Sequence, residues 1–212
     1  MAKGFFVTGT DTSVGKTTVS CALLRAFAAQ GYRVAGMKPI AAGRENGQWQ
    51  DVELLLAASN VNVTRKQINP YALEAPISPH LAAQQEDITI DLSLVNDCYR
   101  QLSMQADIVI VEGAGGFLVP LNDSQTGEDL AKILGLPVIL VVGMRLGCLN
   151  HALLTTGAIS AARLSLVGWI ANCIQSPMVA VTENIATLGQ RLQAPLLGIL
   201  RFGEQTDGFI AM

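Results

Sequence analysis

Short apolar runs alternate with amphipathic stretches along this chain of 212 residues. The apolar runs are nearly continuous, which is typical of strands buried on both faces, and the stretches between them have helical periodicity. We predict strands at residues 5–8, 33–37, 108–111, 138–142, 166–171 and 196–200. We predict helices at residues 16–30, 51–59, 92–105, 126–134, 150–163 and 179–192. This order predicts one α/β domain over residues 1–212, with a mostly parallel sheet and helices on both of its faces.

The turn between the first strand and the first helix reads GTDTSVGKT, from Gly9 to Thr17. Its glycines permit a close backbone approach, and its position lets backbone N–H groups at a helix start face a phosphate. Lys16 would then reach the β- and γ-phosphates of a nucleotide, and Thr17 would ligate Mg²⁺. The fold is therefore expected to be of the P-loop NTPase type.

This loop is longer than the usual phosphate loop by one residue, because five residues separate Gly9 from Gly15. The longer form resembles the loop of nitrogenase iron proteins and partitioning ATPases, in which a second lysine lies five positions before the invariant one. Asp11 occupies that position here. A carboxylate cannot replace that cation, so an ATP-switch function lacks its signature residue. Asp11 and Thr12 would instead favour a cationic partner such as an amine.

More charged residues are predicted at the same edge of the sheet, where parallel sheets bind their ligands. Lys38 precedes Pro39, which cannot continue a central strand. Lys38 therefore either faces the cleft, where two lysines would call for a second anion beside the γ-phosphate, or is an ordinary surface lysine. Glu112 ends a buried strand in the manner of a Walker B carboxylate. With Thr17 and Asp51 it would form a Mg²⁺ site, although Asp51 fits a helix N-cap equally well.

Further stretches lie after predicted strands and would face the same edge. Gly113, Gly115 and Gly116 would let a substrate lie against bare backbone, or they form a plain turn. Residues 147–150 begin a helix and offer another anion site. Asn172 ends a strand, where its amide either reads an adenine edge or simply terminates the strand.

Composition excludes several classes of partner. Charged residues make up 15% of the chain and the formal net charge is −3, with no basic stripe, so nucleic acid and anionic membranes are not expected as partners. The longest apolar run, PVILVV, is too short to span a bilayer. The four cysteines are scattered without C-x-x-C spacing, which indicates reduced thiols in a cytoplasmic protein rather than zinc ligands or a disulfide framework.

Seven stretches together strongly resemble the dethiobiotin synthetase family over nearly the whole chain. In order they are VTGTDTSVGKT, GMKPIAAG, NPYALEAPISPH, VIVEGAGGFLVPL, PVILVVGMRLGCLNHALLT, GWIAN and APLLG. The resemblance implies an ATP- and Mg²⁺-dependent cyclo-ligase of biotin biosynthesis that converts 7,8-diaminononanoate and CO₂ to dethiobiotin. The implied route passes through a carbamate and a carbamic–phosphoric anhydride. The resemblance also implies a homodimer with the active site near the subunit interface.

The resemblance implies a role for individual residues. Thr12, Lys16 and Lys38 would be catalytic, and Thr17, Asp51 and Glu112 would hold Mg²⁺. The nucleotide and metal contacts would be Ser13, Val14, Gly15, Lys16, Thr17, Thr18, Asp51, Glu112, Gly113, Ala114, Gly115 and Asn172. The substrate contacts would be Thr12, Lys38, Ala42 and, from the neighbouring subunit, Gly147, Cys148, Leu149 and Asn150.

The chain departs from the family pattern in three places. Ala42 stands where the family commonly has Ser, and loss of one hydrogen bond predicts weaker substrate binding by about 0.5–1.5 kcal/mol. Ser13 stands where the loop often has Glu. The region after APLLG is short, whereas family members usually continue further and help to enclose the base, so nucleotide preference stays open. The alternative function is an ATP-switched binding protein of the partitioning (ParA/MinD-like) type, and a requirement of ATP turnover for diamine and bicarbonate would discriminate the two.

Overall fold

The computed structural model of the chain describes residues 2–175 and 178–203. Within these ranges the strands are β1 Lys3–Gly9, β2 Val34–Met37, β3 Ile40–Ala42, β4 Tyr71–Leu73, β5 Ile108–Glu112, β6 Val138–Gly143, β7 Leu166–Asn172 and β8 Leu196–Leu200. The helices are α1 Lys16–Ala29, α2 Gln50–Ala58, α3 Arg65–Ile68, α4 Pro79–Gln85, α5 Leu92–Gln105, α6 Gly127–Leu134, α7 Cys148–Ala161 and α8 Val181–Arg191. Six strands form one sheet in the order β2-β5-β1-β6-β7-β8, and β3 pairs with β4 separately.

All strand pairs of the six-stranded sheet are parallel, and helices cover both of its faces. On β1, Phe5 and Val7 join a buried cluster with residues of α1, whereas Phe6 points the other way into a cluster with residues of α5 and α6. Helices α7 and α8 pack on β6 and β7 through a third cluster on the same side as α5. The predicted α/β fold with a parallel sheet and helices on both faces is confirmed.

The strand order creates a switch point at the carboxyl end of β1. From β1 the chain crosses outward to β2 on one side, and later from β5 to β6, β7 and β8 on the other. Right-handed crossovers in opposite directions place their helices on opposite faces. The connections therefore diverge beyond β1, and a crevice opens there, which is where ligands bind in open parallel sheets.

All twelve predicted elements are present, with ends that differ by at most a few residues. Residues 92–105 and 196–200 match α5 and β8 without any difference. The helix predicted at residues 150–163 begins earlier, at Cys148, because Gly147 caps it in a left-handed conformation with φ of 93°. The helix predicted at residues 179–192 begins only after Ala180, which has φ of 57°. No helix in the described part of the chain has the length and apolarity that crossing a membrane requires.

Four short elements between residues 40 and 85 are absent from the prediction. Strands β3 and β4 have three residues each, and they are held by tertiary contacts. The buried amide of Asn69 donates to the carbonyl of Lys38 at 2.7 Å and to that of Tyr71 at 2.9 Å, which ties the two segments together. Local signals existed for the helices only: Thr64 and Gln67 form a capping box before α3, and Pro79 opens α4.

Candidate active site

A cavity of about 680 Å³ opens at the carboxyl edge of the sheet, beyond β1, β2 and β5. It brings together most of the residues that the sequence singled out, although they come from four separate stretches. The predicted residues on its wall are Thr12, Ser13, Gly15, Lys16, Thr17, Thr18, Lys38, Ala42, Asp51, Glu112, Ala114 and Gly115.

The loop between β1 and α1 depends on glycine at position 15. Gly15 caps α1 with φ of 87°, a left-handed conformation that favours glycine. A Cβ on Gly15 would lie 2.0 Å from Nδ2 of Asn172, so the space for a side chain is also absent. That Nδ2 donates to the carbonyl of Val14 at 2.8 Å. Asn172, which does not line the cavity, therefore braces the loop from β7.

The pairing of β2 with β5 decides which charges meet. Met37 lies opposite Val111 in the register, so the next residues, Lys38 and Glu112, emerge side by side at the strand ends. Lys38 Nζ lies 2.6 Å from Glu112 Oε1 and 3.0 Å from an oxygen of Asp51. It also donates to the carbonyl of Gly113 at 3.3 Å. Lys38 is therefore not a surface lysine: only 5% of it is exposed.

The two lysines of the cavity have opposite electrostatic environments. Burial, followed by the positive charge of Lys38, lowers the pKa of Lys16 to about 8, although the carboxylates of Glu112 and Asp51 partly oppose this. Burial also disfavours the charge of Lys38, but attraction to Glu112 and Asp51 outweighs it and raises the pKa of Lys38. Burial would raise the pKa of Asp51, yet the charge of Lys38 lowers it on balance. The cavity thus holds one firmly charged lysine and one that loses its proton near pH 8.

Glu112 is buried, and its carboxylate is only half satisfied. Its Oε1 accepts hydrogen bonds from Lys38 Nζ and, at 2.8 Å, from the hydroxyl of Thr17. Its Oε2 has no hydrogen-bond partner among the described residues. Buried polar atoms are nearly always paired, so a bound ligand or water is expected to supply the partner of this oxygen.

Thr17, Asp51 and Glu112 fit a Mg²⁺ ion by their chemistry. Thr17 donates to Glu112, and both of them border the cavity with Asp51. Residues 2–175 and 178–203 contain no group of three or more His, Cys, Asp or Glu side chains suited to a metal. Mg²⁺ does not need such a group, because it keeps several waters and takes one or two carboxylates together with phosphate oxygens. The unpaired Oε2 of Glu112 is an oxygen of the required type.

Several predicted site residues lie outside this cavity. Val14 is buried and Gly113 presents its carbonyl to Lys38. The amide of Asn172 is engaged with the loop backbone, and its contact with adenine stays a prediction. The helix start at residues 147–150 borders no part of the cavity of its own chain. These residues are Val14, Gly113, Gly147, Cys148, Leu149, Asn150 and Asn172.

The cavity also has an apolar wall that the sequence did not assign to the site. It is formed by Ile40, Leu54, Val119 and the segment at residues 76–79. The segment belongs to the stretch NPYALEAPISPH, whose family likeness was visible but whose contribution to a cavity was not. Only the pairing of β3 with β4 brings this stretch over the strand ends.

Asp11 has a cationic partner in the chain itself, and its contact with an amine stays a prediction. The guanidinium of Arg145, which lies between β6 and α7, contacts the Asp11 carboxylate. A hydrogen bond from the backbone of Thr12, with help from Arg145 and His151, lowers the pKa of Asp11 although burial opposes the shift. Arg145 had no assigned role in the sequence, since nothing local to either stretch predicts the contact.

Comparison with known proteins shows a matching family model and close relatives in sequence. A family model described as an AAA domain matches residues 3–208. A protein of Nitrosospira multiformis, named ATP-dependent dethiobiotin synthetase BioD, is 60% identical over 207 residues, which cover 98% of this chain and 92% of that protein. A protein of Ralstonia nicotianae with the same name is 51% identical over 210 residues, which cover 97% of this chain and 92% of that protein.

Solved structures with a similar fold have low sequence identity to this chain. The cell division protein FtsY of Thermotoga maritima has a TM-score of 0.61 at 15% identity, over 98% of this chain and 64% of that one, so the chain spans less than two thirds of FtsY. The MinC:MinD cell division complex of Aquifex aeolicus has a TM-score of 0.60 at 18% identity, over 94% of this chain and 81% of the matched chain. At such identities the likeness concerns the fold alone.

Proposed function

The chain belongs to the dethiobiotin synthetase family of ATP-dependent ligases, and on that premise we propose that it closes the ureido ring of dethiobiotin in biotin biosynthesis. Its substrates would be 7,8-diaminononanoate, CO₂ and ATP, with Mg²⁺ as cofactor. The observation that carries the proposal is the convergence of two buried lysines and a half-satisfied carboxylate on one cavity beside the phosphate loop. Such a cavity suits two anions that must react with each other.

The proposed reaction has three steps. One amine nitrogen bonds to the carbon of CO₂ and loses a proton, which gives a carbamate. A carbamate oxygen then bonds to the γ-phosphorus of ATP as the bond to ADP breaks, which gives a carbamic–phosphoric anhydride. The second amine nitrogen attacks the carbamoyl carbon, its proton is lost, and the bond to the phosphate oxygen breaks. The products are dethiobiotin, ADP and phosphate.

The lysines would act by charge stabilisation and by positioning, which dominate phosphoryl transfer. Lys16 would contact the terminal phosphates from the start of α1, where backbone N–H groups also face the anion. The ammonium of Lys38 is engaged by Glu112, Asp51 and the carbonyl of Gly113. It can face the carbamate only by exchanging one of these contacts for it. Because the pKa of Lys38 is raised, it keeps its charge through this exchange.

Thr17, Asp51 and Glu112 would hold the Mg²⁺ ion. When bound, Mg²⁺ would neutralise charge on the transferring phosphoryl group. The unpaired oxygen of Glu112 supports this assignment, since it offers an acceptor-only group to a cation. The hydroxyl of Thr12 would contact the diamine, since Thr12 lies on the cavity wall.

The apolar wall would receive the hydrocarbon chain of the substrate. Ile40, Leu54 and Val119 line the cavity together with the residues of the phosphate loop. Ala42 lies on the same wall, where a serine would offer a hydroxyl. Burial of methylene groups against these side chains stabilises binding by about 0.8 kcal/mol per group. This supports a substrate that carries an alkyl chain.

A homodimer would complete the site. Leu146, just before the start of α7, is 96% exposed, and Leu154, within α7, is 66% exposed. The start of this helix does not border the cavity of its own chain. A second copy would cover these side chains and receive the distant carboxylate of its substrate at residues 147–150. Light scattering tests this with Leu154→Glu, which is expected to halve the mass, beside Met104→Glu, an exposed apolar residue of α5. A single-chain mass for the unaltered protein would contradict the dimer.

A cytoplasmic location is proposed with the reaction. Three of the cysteines, Cys21, Cys98 and Cys148, are buried, and burial is the main cause of the raised pKa of the Cys21 and Cys98 thiols. Such thiols are inert structural residues, as expected in a reducing compartment. Cell fractionation with an antibody against the chain tests the location directly.

The decisive experiment is incubation of the purified protein with the diamine, bicarbonate, Mg²⁺ and ATP, with dethiobiotin detected by mass. We expect product only when all four components are present, and we expect ADP and dethiobiotin in equal amounts. ATP hydrolysis that is indifferent to diamine and bicarbonate would reject the ligase function and favour an ATP-switched binding protein. Lys16→Gln is the matched control for contaminating activity.

A further inference from the structure

Asp11 connects two loops that are far apart in the chain. The guanidinium of Arg145 contacts Oδ2 of Asp11 across 134 positions of sequence. Oδ1 of the same carboxylate accepts the backbone N–H of Thr12 at 2.7 Å. The backbone carbonyl of Asp11 accepts a hydrogen bond from Lys16 Nζ at 2.9 Å. Each carboxylate oxygen of Asp11 and its backbone carbonyl thus has one hydrogen-bond partner.

These contacts form a chain of constraints because a peptide unit is planar. The N–H of Thr12 and the carbonyl of Asp11 belong to the same peptide unit and point to opposite sides of it. When Oδ1 holds the N–H, the carbonyl is therefore aimed as well, and Lys16 Nζ lies at its end. Arg145 holds the other carboxylate oxygen and so keeps the side chain in place for this role.

Arg145 is itself held by the start of α7. The backbone N–H of Cys148 donates to the carbonyl of Arg145 at 3.0 Å, and the backbone N–H of Met144 donates to the carbonyl of Asn172 at 2.7 Å. The guanidinium thus projects from a fixed turn between β6 and α7. Its side chain is 36% exposed and that of Asp11 is 46% exposed, and ion pairs in such positions contribute little to folding stability. A stabilising role for the fold does not account for the arrangement.

We propose that Arg145 is a positioning residue that aims the Lys16 ammonium at the nucleotide phosphates through Asp11 and the Asp11–Thr12 peptide. Arg145 does not touch the nucleotide. Of the three N–H groups of the Lys16 ammonium, one donates to the Asp11 carbonyl and two remain to donate to phosphate oxygens. This inference rests on the proposed nucleotide function of the loop. It also gives Asp11 a function in the place where partitioning ATPases carry a cation.

The test compares ATP affinity, by calorimetry in the presence of Mg²⁺, for Arg145→Met, Arg145→Lys and the unaltered protein. We expect Arg145→Met to weaken ATP binding about tenfold, the size of one lost charge-assisted hydrogen bond. Arg145→Lys keeps an ion pair and is expected to restore most of the affinity. Arg33→Met is the matched control, because Arg33 also pairs with an aspartate, Asp107, on the surface. Unchanged ATP affinity in Arg145→Met overturns the proposal.

A double-mutant cycle separates positioning from direct contact. In the Lys16→Gln background, Arg145→Met is expected to cause no further loss of ATP affinity, because there is no ammonium left to aim. A full additional loss would mean that Arg145 contacts the nucleotide, and the proposal would be wrong. In assays of turnover, Arg145→Met should raise the KM for ATP while the KM for the diamine changes by less than about twofold.

Asp11→Asn provides a second route if Arg145→Met does not fold. Its side-chain oxygen can still accept the Thr12 N–H, but the charge that attracts Arg145 is absent. We expect a loss of ATP affinity similar to that of Arg145→Met, and no added loss when the two are combined. Normal ATP affinity in Asp11→Asn overturns the proposal. Since affinity is measured without the diamine, these results stand apart from the reaction: a protein that binds ATP as described but makes no dethiobiotin refutes only the proposed ligase activity.

Discussion

The two ends of the parallel sheet both carry ion pairs, and the pairs are built in opposite ways. At the amino end, before β2 and β5, Arg33 and Asp107 form an exposed pair that we call the edge pair. At the carboxyl end, Lys16, Lys38, Asp51 and Glu112 form a mostly buried group that we call the cradle. Asp107 receives its partner through both oxygens, at 2.7 and 3.1 Å.

The difference between the two lies in completeness. In the edge pair, both carboxylate oxygens of Asp107 accept hydrogen bonds from Arg33, and the Arg33 backbone N–H adds a third hydrogen bond at 3.0 Å. The cradle does not, because Glu112 keeps an unpaired buried oxygen and Lys16 has a pKa of about 8. Burial of incompletely paired charge costs folding free energy. A group of charges that stays incomplete in the folded chain is therefore one that a ligand is expected to complete.

The largest expected effect is on turnover. Lys16→Gln and Lys38→Gln should each lower kcat for dethiobiotin formation by about a thousandfold, because each removes charge that stabilises the transferring phosphoryl group. Arg33→Gln should leave kcat unchanged. Steady-state assays with saturating ATP and diamine measure this. Near-normal turnover of Lys38→Gln would remove the cradle from the mechanism.

The next effect is on folding stability, and it is expected to be larger than the contribution of an ordinary exposed ion pair. Without Mg²⁺, Lys38→Gln should lower the free energy of unfolding by about 3 kcal/mol, because Glu112 then stays buried without its nearest counter-charge. The double substitution Lys38→Gln with Glu112→Gln should recover most of the loss. Urea unfolding of the three variants measures both. If Lys38→Gln costs no more than Arg33→Gln, the two ends do not differ as described.

Metal dependence comes third. Glu112→Gln replaces the unpaired carboxylate oxygen by a neutral amide, so the Mg²⁺ concentration for half-maximal activity should rise about tenfold or more. Titration of activity with MgCl₂ at fixed ATP measures the change. Asp107→Asn, at the other end of the sheet, serves as the control. An unchanged Mg²⁺ requirement in Glu112→Gln would count against metal binding by Glu112.

A smaller, several-fold effect is expected on ATP affinity between pH 7 and pH 9. The Lys16 ammonium is lost as the pH rises through its pKa of about 8, so ATP binding should weaken over this range. Lys38 keeps its charge, since its pKa is raised.

The free energy of unfolding depends on pH in the opposite direction. Between about pH 8 and 10.5 the unfolded chain binds more protons at residue 16 than the folded chain does, so the contribution of this residue to stability rises with pH. The Lys16→Gln variant should show neither slope.

The smallest effect concerns the edge pair in acid. Hydrogen bonds from Arg33 lower the pKa of Asp107 to about 2 from an ordinary value of 3.8. Its contribution to stability is therefore present above about pH 4 and is lost as the pH falls through about 2. Asp107→Asn should remove this small dependence, as measured by thermal unfolding between pH 5 and pH 2. A stability difference between Asp107→Asn and the unaltered protein that is as large at pH 2 as at pH 5 would contradict this assignment to the edge pair.

Much of the fold could be predicted from the sequence because each long helix or strand has a recognisable pattern of apolar and polar residues. The six strands of the main sheet and six of the helices were found, since an apolar run or a helical repeat is a relation among neighbours in the chain. The phosphate loop was found for the same reason, because Gly15, Lys16 and Thr17 act at a single strand-to-helix turn. The short elements β3 and β4 were not, since their three residues are held by contacts such as those of Asn69.

What the tertiary structure alone decided is which charges meet. Lys38 stands beside Glu112 only because β2 pairs with β5 in one particular register. Arg145 reaches Asp11 only because β6 pairs with β1, which brings the ends of two distant strands together. Periodicity tells which face of an element is buried, but it carries no information about which strand becomes the neighbour. The sequence by itself therefore determined the long elements, the phosphate loop and the family, whereas the order of the strands determined the electrostatics of the site.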